Sequence, residues 1–91
     1  MAGGMITAKN LSHMTAADQC RALGLQVGDT IEGTEHAAGW WSTARLTLVW
    51  CGEVVAVWSV RTRNNSQPEW SQPREMTNWN LAYRDWRKVE P

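Results

Sequence analysis

Apolar and polar positions alternate in two runs between Gly39 and Thr62. In the first run Ala44, Leu46, Leu48 and Trp50 share one parity, and Arg45, Thr47 and Val49 share the other. A period of two marks a half-buried strand. A valine-rich run over 54–62 follows Cys51-Gly52, and β-branched residues fit a pleated surface. A tight turn at Cys51-Gly52 predicts a hairpin with Val49 opposite Val54. That register puts Leu46 against Val57 and Leu48 against Val55 on a core face. Thr47 then meets Ala56 and Arg45 meets Trp58 on a mixed face.

The pattern elsewhere predicts shorter elements. Residues 15–23 read as a helix. Thr15 caps it, Asp18 suits its positive end, and Ala16, Cys20 and Leu23 form an apolar stripe. Gly24 is placed to end it in the left-handed conformation, with Leu25 folding back. Gly28-Asp29 is turn chemistry, residues 30–34 alternate around Ile31, and residues 35–39 read as a loop. Residues 64–75 form a polar loop with Pro68, Pro73 and one large apolar side chain, Trp70. Trp79, Tyr83 and Trp86 fit a helical spacing, whereas Trp79, Leu81 and Tyr83 fit a strand. The reading preferred here is a strand over 79–81, one helical turn over 83–85 and a last strand over 86–89. Residues 1–14 lack periodicity and are expected to form a flexible tail before a single domain over 15–91. A short helix followed by five short strands predicts a mainly β fold. A small, partly open SH3-like barrel deals with the exposed edges of such a set.

Composition sharpens this picture. The chain has 91 residues, with seven Trp, one Tyr and no Phe. Tryptophan therefore carries nearly all the aromatic mass, and three or four inward rings suffice to anchor a core this small. Nine basic residues balance nine acidic ones, which argues against a duplex-DNA binder. The balance is uneven along the chain, with an acidic excess over 1–53 and a basic excess over 54–91. Seven of the nine basic residues are Arg, the side chain suited to stacking and to forked phosphate contacts. No apolar run is long enough to span a membrane and no signal-peptide pattern is present, so the expectation is a soluble, cytoplasmic protein. The two cysteines, Cys20 and Cys51, make no disulfide framework and read as small buried thiols.

The stretches "VGDTIEG", "GWW…ARLTLVW.GE…VW.V..R" and "PEWS.P.E…NW.L..R.WRKV" resemble a family of short Trp-rich proteins of enteric bacteriophages and prophages. The resemblance runs from about Leu25 to Val89. It carries over no functional residue. It implies a setting, the cytoplasm of a bacterial host, and a class of role: small phage accessory proteins act on host machinery or counter host defence, commonly by binding.

Enzyme chemistry is thinly represented. His13 and His36 stand apart from any Ser or Cys motif, the cysteines lack paired metal-ligand spacing, and no phosphate-binding glycine loop is present. The expectation is a binding protein with no catalytic residue, no metal and no cofactor. What remains is Trp interleaved with Arg. Parity assigns Trp40 and Trp50 to the core, and Trp79 and Trp86 are expected to close the fold. Trp41 and Trp58 share the other face with Arg45, and Trp70 rides on the loop. The candidate ligand site is therefore Trp41, Trp58 and Trp70 for stacking a base, with Arg45, Arg61 and Arg63 for phosphate. The expected ligand is a small nucleotide-type signal, sequestered to blunt host immunity. The alternative is a protein-protein inhibitor of a host bacterial protein, since Trp and Arg dominate protein hot spots. A homo-oligomer interface could also take up the Trp surplus.

Overall fold

The computed structural model describes residues 5–6 and 11–90. Strands β1 (Met5–Ile6), β2 (Thr30–Ala37), β3 (Trp40–Cys51), β4 (Ala56–Asn64), β5 (Arg74–Thr77) and β6 (Trp86–Val89) form one antiparallel sheet in the order β1-β6-β2-β3-β4-β5. Helix α1 (Ala16–Ala22) precedes β2, and one turn of 3-10 helix at Leu81–Tyr83 precedes β6. The chain is mainly β with one short helix. The sheet is open, with β1 and β5 at its edges. No helix among the described residues is long and apolar enough to cross a membrane.

Helix α1 starts and stops as the sequence predicts. Thr15 Oγ1 accepts from the Asp18 N–H at 3.1 Å. Gly24 takes φ +67°, so its N–H reaches Arg21 O at 3.0 Å while the Leu25 N–H reaches Cys20 O at 3.0 Å. This doubled closure satisfies two orphan carbonyls and turns Leu25 back into the core. Buried Gln19 then ties the helix to two distant segments. Its Nε2 donates to Leu11 O at 2.9 Å, and its Oε1 accepts from the Leu81 N–H at 3.0 Å.

Two strands and one helical turn differ from expectation. β2 continues to Ala37, and the expected loop over 35–39 shrinks to a two-residue turn with Gly39 at φ +72°. Residues Glu35 and His36 give no periodic signal, but they pair with Ser42 and Trp41 of β3. The strand expected over 79–81 instead lies at Arg74–Thr77. Asn78 stops it, adopting φ +59° and pairing through its main chain and side chain with Ala56. The helical turn expected over 83–85 forms two residues earlier, capped by Asn80 Oδ1 on the Ala82 N–H. The last strand lies where predicted. Of residues 1–14, expected to form a flexible tail, Met5–Ile6 pair with β6, Leu11 is buried in the core, and residues 12–14 are exposed. For residues 1–4 and 7–10 that assignment lies outside the described residues.

The largest difference is the register of the β3–β4 hairpin. Leu48 faces Trp58, Leu46 faces Val60 and Arg45 faces Arg61, and a bulge between Leu48 and Trp50 lets Trp50 face Val57. The predicted register is off by three residues along most of the hairpin. An odd shift exchanges the two faces of β4, because side chains alternate with period two. Trp58 and Val60 thereby join Ile31, Leu46, Leu48, Leu81 and Trp86 in the core. Trp86 lies flat over Gly33, where an added Cβ would stand 2.8 Å from the ring. Its Nε1 donates to Leu81 O at 2.9 Å, so the buried indole is satisfied.

Candidate ligand-binding face

The register that sends Trp58 inward sends arginines outward. On the face opposite the core, Arg87, Glu32, Arg45 and Arg61 stand in one row across β6, β2, β3 and β4. The neighbouring row holds Thr34, Thr43 and Arg63, and the next holds His36 and Trp41. Hydroxyl pairs lace this face: Thr30 with Thr47 at 2.7 Å and Thr34 with Thr43 at 2.8 Å.

The polar loop adds Trp70. Ser71 clips it to β4: the Ser71 N–H donates to Thr62 O at 2.8 Å, and Ser71 Oγ accepts from the Thr62 N–H at 3.0 Å. Arg61 Nε donates to Ser71 O at 3.1 Å. With Ser71 held, Trp70 lies across the outward face. Arg45 Cζ is 4.6 Å from its ring centroid and Arg63 Cζ is 4.7 Å. Arg63 also lies 5.9 Å from the Trp41 ring. A guanidinium over an indole face contributes about 0.5–1 kcal/mol when exposed and about 2 when desolvated. Thr43, although on the outward face, is only 4% exposed. Arg45 Nε and Arg63 Nε are buried without a hydrogen-bond partner among the described residues.

The charges here are only partly paired. Glu32 Oε2 accepts from Arg45 at 3.0 Å and lies 3.7 Å from Arg87. Lys88 bonds Asp29 at 3.2 Å. The Gln26 N–H holds Asp29 below the usual carboxylate range, with Lys88 adding to the effect. Arg61 and Arg63 have no ion pair among the described residues. Beside Trp70 the outward face forms a groove of about 470 Å³, lined by the cations Arg45, Arg61 and Lys88, the hydroxyls of Thr30 and Thr47, and the carboxylates of Asp29 and Glu90. Arginine cations and threonine hydroxyls in one concavity suit an anion with several acceptor oxygens.

Five of the six residues proposed from sequence therefore share this face: Trp41, Arg45, Arg61, Arg63 and Trp70. Trp58 does not. It is fully buried beneath the same strands and cannot stack on a ligand. Two rings assigned to the core are the converse case. Trp50 is 54% exposed because the bulge turns it outward, and Trp40 is 39% exposed because β3 begins beyond the core's edge. Trp86 is in the core as expected, and half-buried Trp79 packs against it.

Arg84 is a position the sequence did not single out. Its Nη1 donates to Gly33 O at 3.1 Å and Ser42 O at 3.3 Å, and its guanidinium lies 5.7 Å from the Trp79 ring and 6.0 Å from Trp86. Burial lowers its pKa from the ordinary arginine value. It braces β6 against β2 and β3. Its spacing from Trp79 and Trp86 is the only sequence signal for that role. Among the described residues, no three His, Cys, Asp or Glu side chains gather to hold a metal. No protein-family model, curated protein or solved structure matches the chain.

Proposed function

We propose that the protein binds a small nucleotide-type ligand on the outward face of its sheet and carries out no chemistry on it. Arg61 and Arg45, helped by the Thr30 and Thr47 hydroxyls, take the phosphate, and the exposed parts of Trp70 and Trp41 stack the base. One observation carries this reading: Arg45 and Arg63 both lie over Trp70, beside a groove that holds Arg61, which has no ion pair among the described residues. A compact ligand suits a chain of zero net charge better than a long polyanion. The resemblance to phage and prophage proteins supplies the setting. In the cytoplasm of a bacterial host, sequestering a nucleotide signal would counter defence. The architecture that accompanies this reading is a partly open SH3-like barrel. Its support is the β2-β3-β4-β5 meander and the return of β6 beside β2 after a 3-10 turn.

Isothermal titration with a panel of cyclic dinucleotides and ADP-ribose-type nucleotides tests it. The expected result is saturable heat with one or more members, weakened by salt. Folded protein that gives no heat across the panel rejects the reading.

A second reading rests on a different surface. Val49, Trp50 and Val54 are 45%, 54% and 58% exposed around the end of the β3–β4 hairpin. Exposed tryptophan with apolar neighbours is typical of protein hot spots, which favours an inhibitor of a host protein or a self-associating surface. Light scattering separates a dimer from a monomer. A stoichiometric host partner lost on Trp50→Ala, with nucleotide heats absent, would favour the inhibitor.

A further inference from the structure

The two cysteines, 31 positions apart in sequence, come into one neighbourhood where α1 lies against the end of the β3–β4 hairpin. Helix α1 is clamped there by its main chain and by Arg21. The Ala17 N–H donates to Val54 O at 3.0 Å, and Arg21 donates to Gly52 O at 2.8 Å and Glu53 O at 2.7 Å. This clamp seats Cys51 against the helix turn that carries Cys20. Cys51 Sγ lies 3.8 Å from Ala17 O, three residues before Cys20, and 3.8 Å from Arg21 Nη1, one residue after it. Cys20 is fully buried in the core and Cys51, half-buried, packs against the same cluster. The two thiols are thus unequal: Cys51 is partly exposed and Cys20 is fully buried.

We propose that Cys51 is a site of thiol–disulfide exchange with low-molecular-weight disulfides, and that Cys20 resolves the adduct into a disulfide between α1 and the β3–β4 hairpin. The Cys51 thiolate attacks one sulfur of the small disulfide. A mixed disulfide forms on Cys51 and one small thiolate departs. Cys20 then gives up its proton and attacks Cys51 Sγ, expelling the second small thiolate, which takes up a proton. Two protein thiols are oxidised, and one small disulfide is reduced to two thiols. The order follows from the surroundings. Burial, with the neighbouring Cys51 sulfur, pushes the Cys20 thiol up to about 12, so it does not react first with an outside reagent. Its part is intramolecular, where the clamp supplies proximity in place of thiolate population. Closing this loop restricts the unfolded chain and raises the melting temperature.

Incubating the reduced full chain with glutathione disulfide, followed by intact-mass spectrometry and peptide mapping, tests this. The native sequence is expected to lose two hydrogens, with Cys20 and Cys51 linked, and to melt several degrees higher until dithiothreitol restores the starting value. Cys20→Ser is expected to trap one glutathione on Cys51, and Cys51→Ser to take up none. A lasting glutathione adduct on the native chain, first modification at Cys20, or no reaction of the folded chain overturns the proposal. The native-chain measurements decide the matter even if Cys20→Ser fails to fold.

Discussion

The two faces of this sheet use tryptophan in opposite ways. On the inner face Trp58 and Trp86 are fully buried beside Ile31, Leu46, Leu48 and Val60. On the outer face Trp41 and Trp70 are half-buried and lie against arginines. The inner rings stabilise the protein by leaving water, which is non-directional and large. The outer rings are held by a few guanidinium contacts, each small and dependent on orientation. Ring identity is the same on both faces. Strand parity and what stands across the ladder decide whether a tryptophan is a core or a surface.

The sharpest way to break this comparison is to remove a ring from the inner face. Trp86→Ala is expected to cost about 3–5 kcal/mol in a urea melt, enough to leave so small a domain largely unfolded. A cost below about 1 kcal/mol would mean that the inner face is not the core. Gly33→Ala probes the same packing from the other side. Its new Cβ would meet the Trp86 ring at 2.8 Å and Asp85 O at 2.9 Å, and the expected loss is about 1–3 kcal/mol.

The outer face should respond in affinity rather than stability. Arg61→Ala is expected to leave the melt within about 1 kcal/mol of the parent, since Arg61 is exposed and, with no ion pair among the described residues, loses only its hydrogen bond to Ser71 O. The same variant should weaken nucleotide binding by about tenfold, the equivalent of about 1.4 kcal/mol. Equal effects on both measurements would erase the distinction between the faces. Trp70→Ala sits between the extremes. It removes two guanidinium contacts, an effect partly offset because water can then reach two buried, unpartnered Nε groups, so about 1 kcal/mol of stability should go, together with the tryptophan fluorescence response to ligand.

The smallest effect concerns Asp29 at the groove's rim. Its folded pKa is depressed by the Gln26 N–H and then by Lys88. A depressed carboxylate stabilises the fold above its unfolded value of about 3.9 and loses that contribution as pH falls through the folded value. A shallow decline in melting temperature below about pH 4 is therefore expected, and Asp29→Asn should flatten it. Because Asp29 is partly exposed and its partner Lys88 is at the surface, the change will be a fraction of that seen for Trp70→Ala.

Much of the fold was legible because it is written in local chemistry. Thr15, Asp18 and Gly24 mark the helix ends, and the caps form with neighbours three to five residues away. The alternation of β3 and the short closing strand at Trp86–Val89 were legible for the same reason. β2 was under-read because Glu35 and His36 owe their strand conformation to β3. The strand near Trp79 was misplaced because Asn78 ends β5 by bonding Ala56, 22 residues away. Of the candidate site, the arginines and two of the three rings were visible as an Arg–Trp interleaving. That Trp70 would fold onto Arg45 and Arg63 depends on the Ser71–Thr62 clip, which no periodicity reports.

The sequence alone determined that this chain would be strand-rich, with one capped helix, with tryptophan as nearly all of its aromatic mass, and with arginine as its main cation. Which tryptophans became core was decided only in three dimensions. The deciding feature is the bulge after Leu48. Leu48 is held on both sides by the turn before β2: its N–H donates to Asp29 O at 2.9 Å and its carbonyl accepts from the Gly28 N–H at 2.8 Å. Those bonds cross about twenty residues of chain, and the hairpin register that follows differs by an odd number from the one a tight turn would set. A side-chain period of two converts that difference into an exchange of faces, carrying Trp58 into the core and Trp50 out of it.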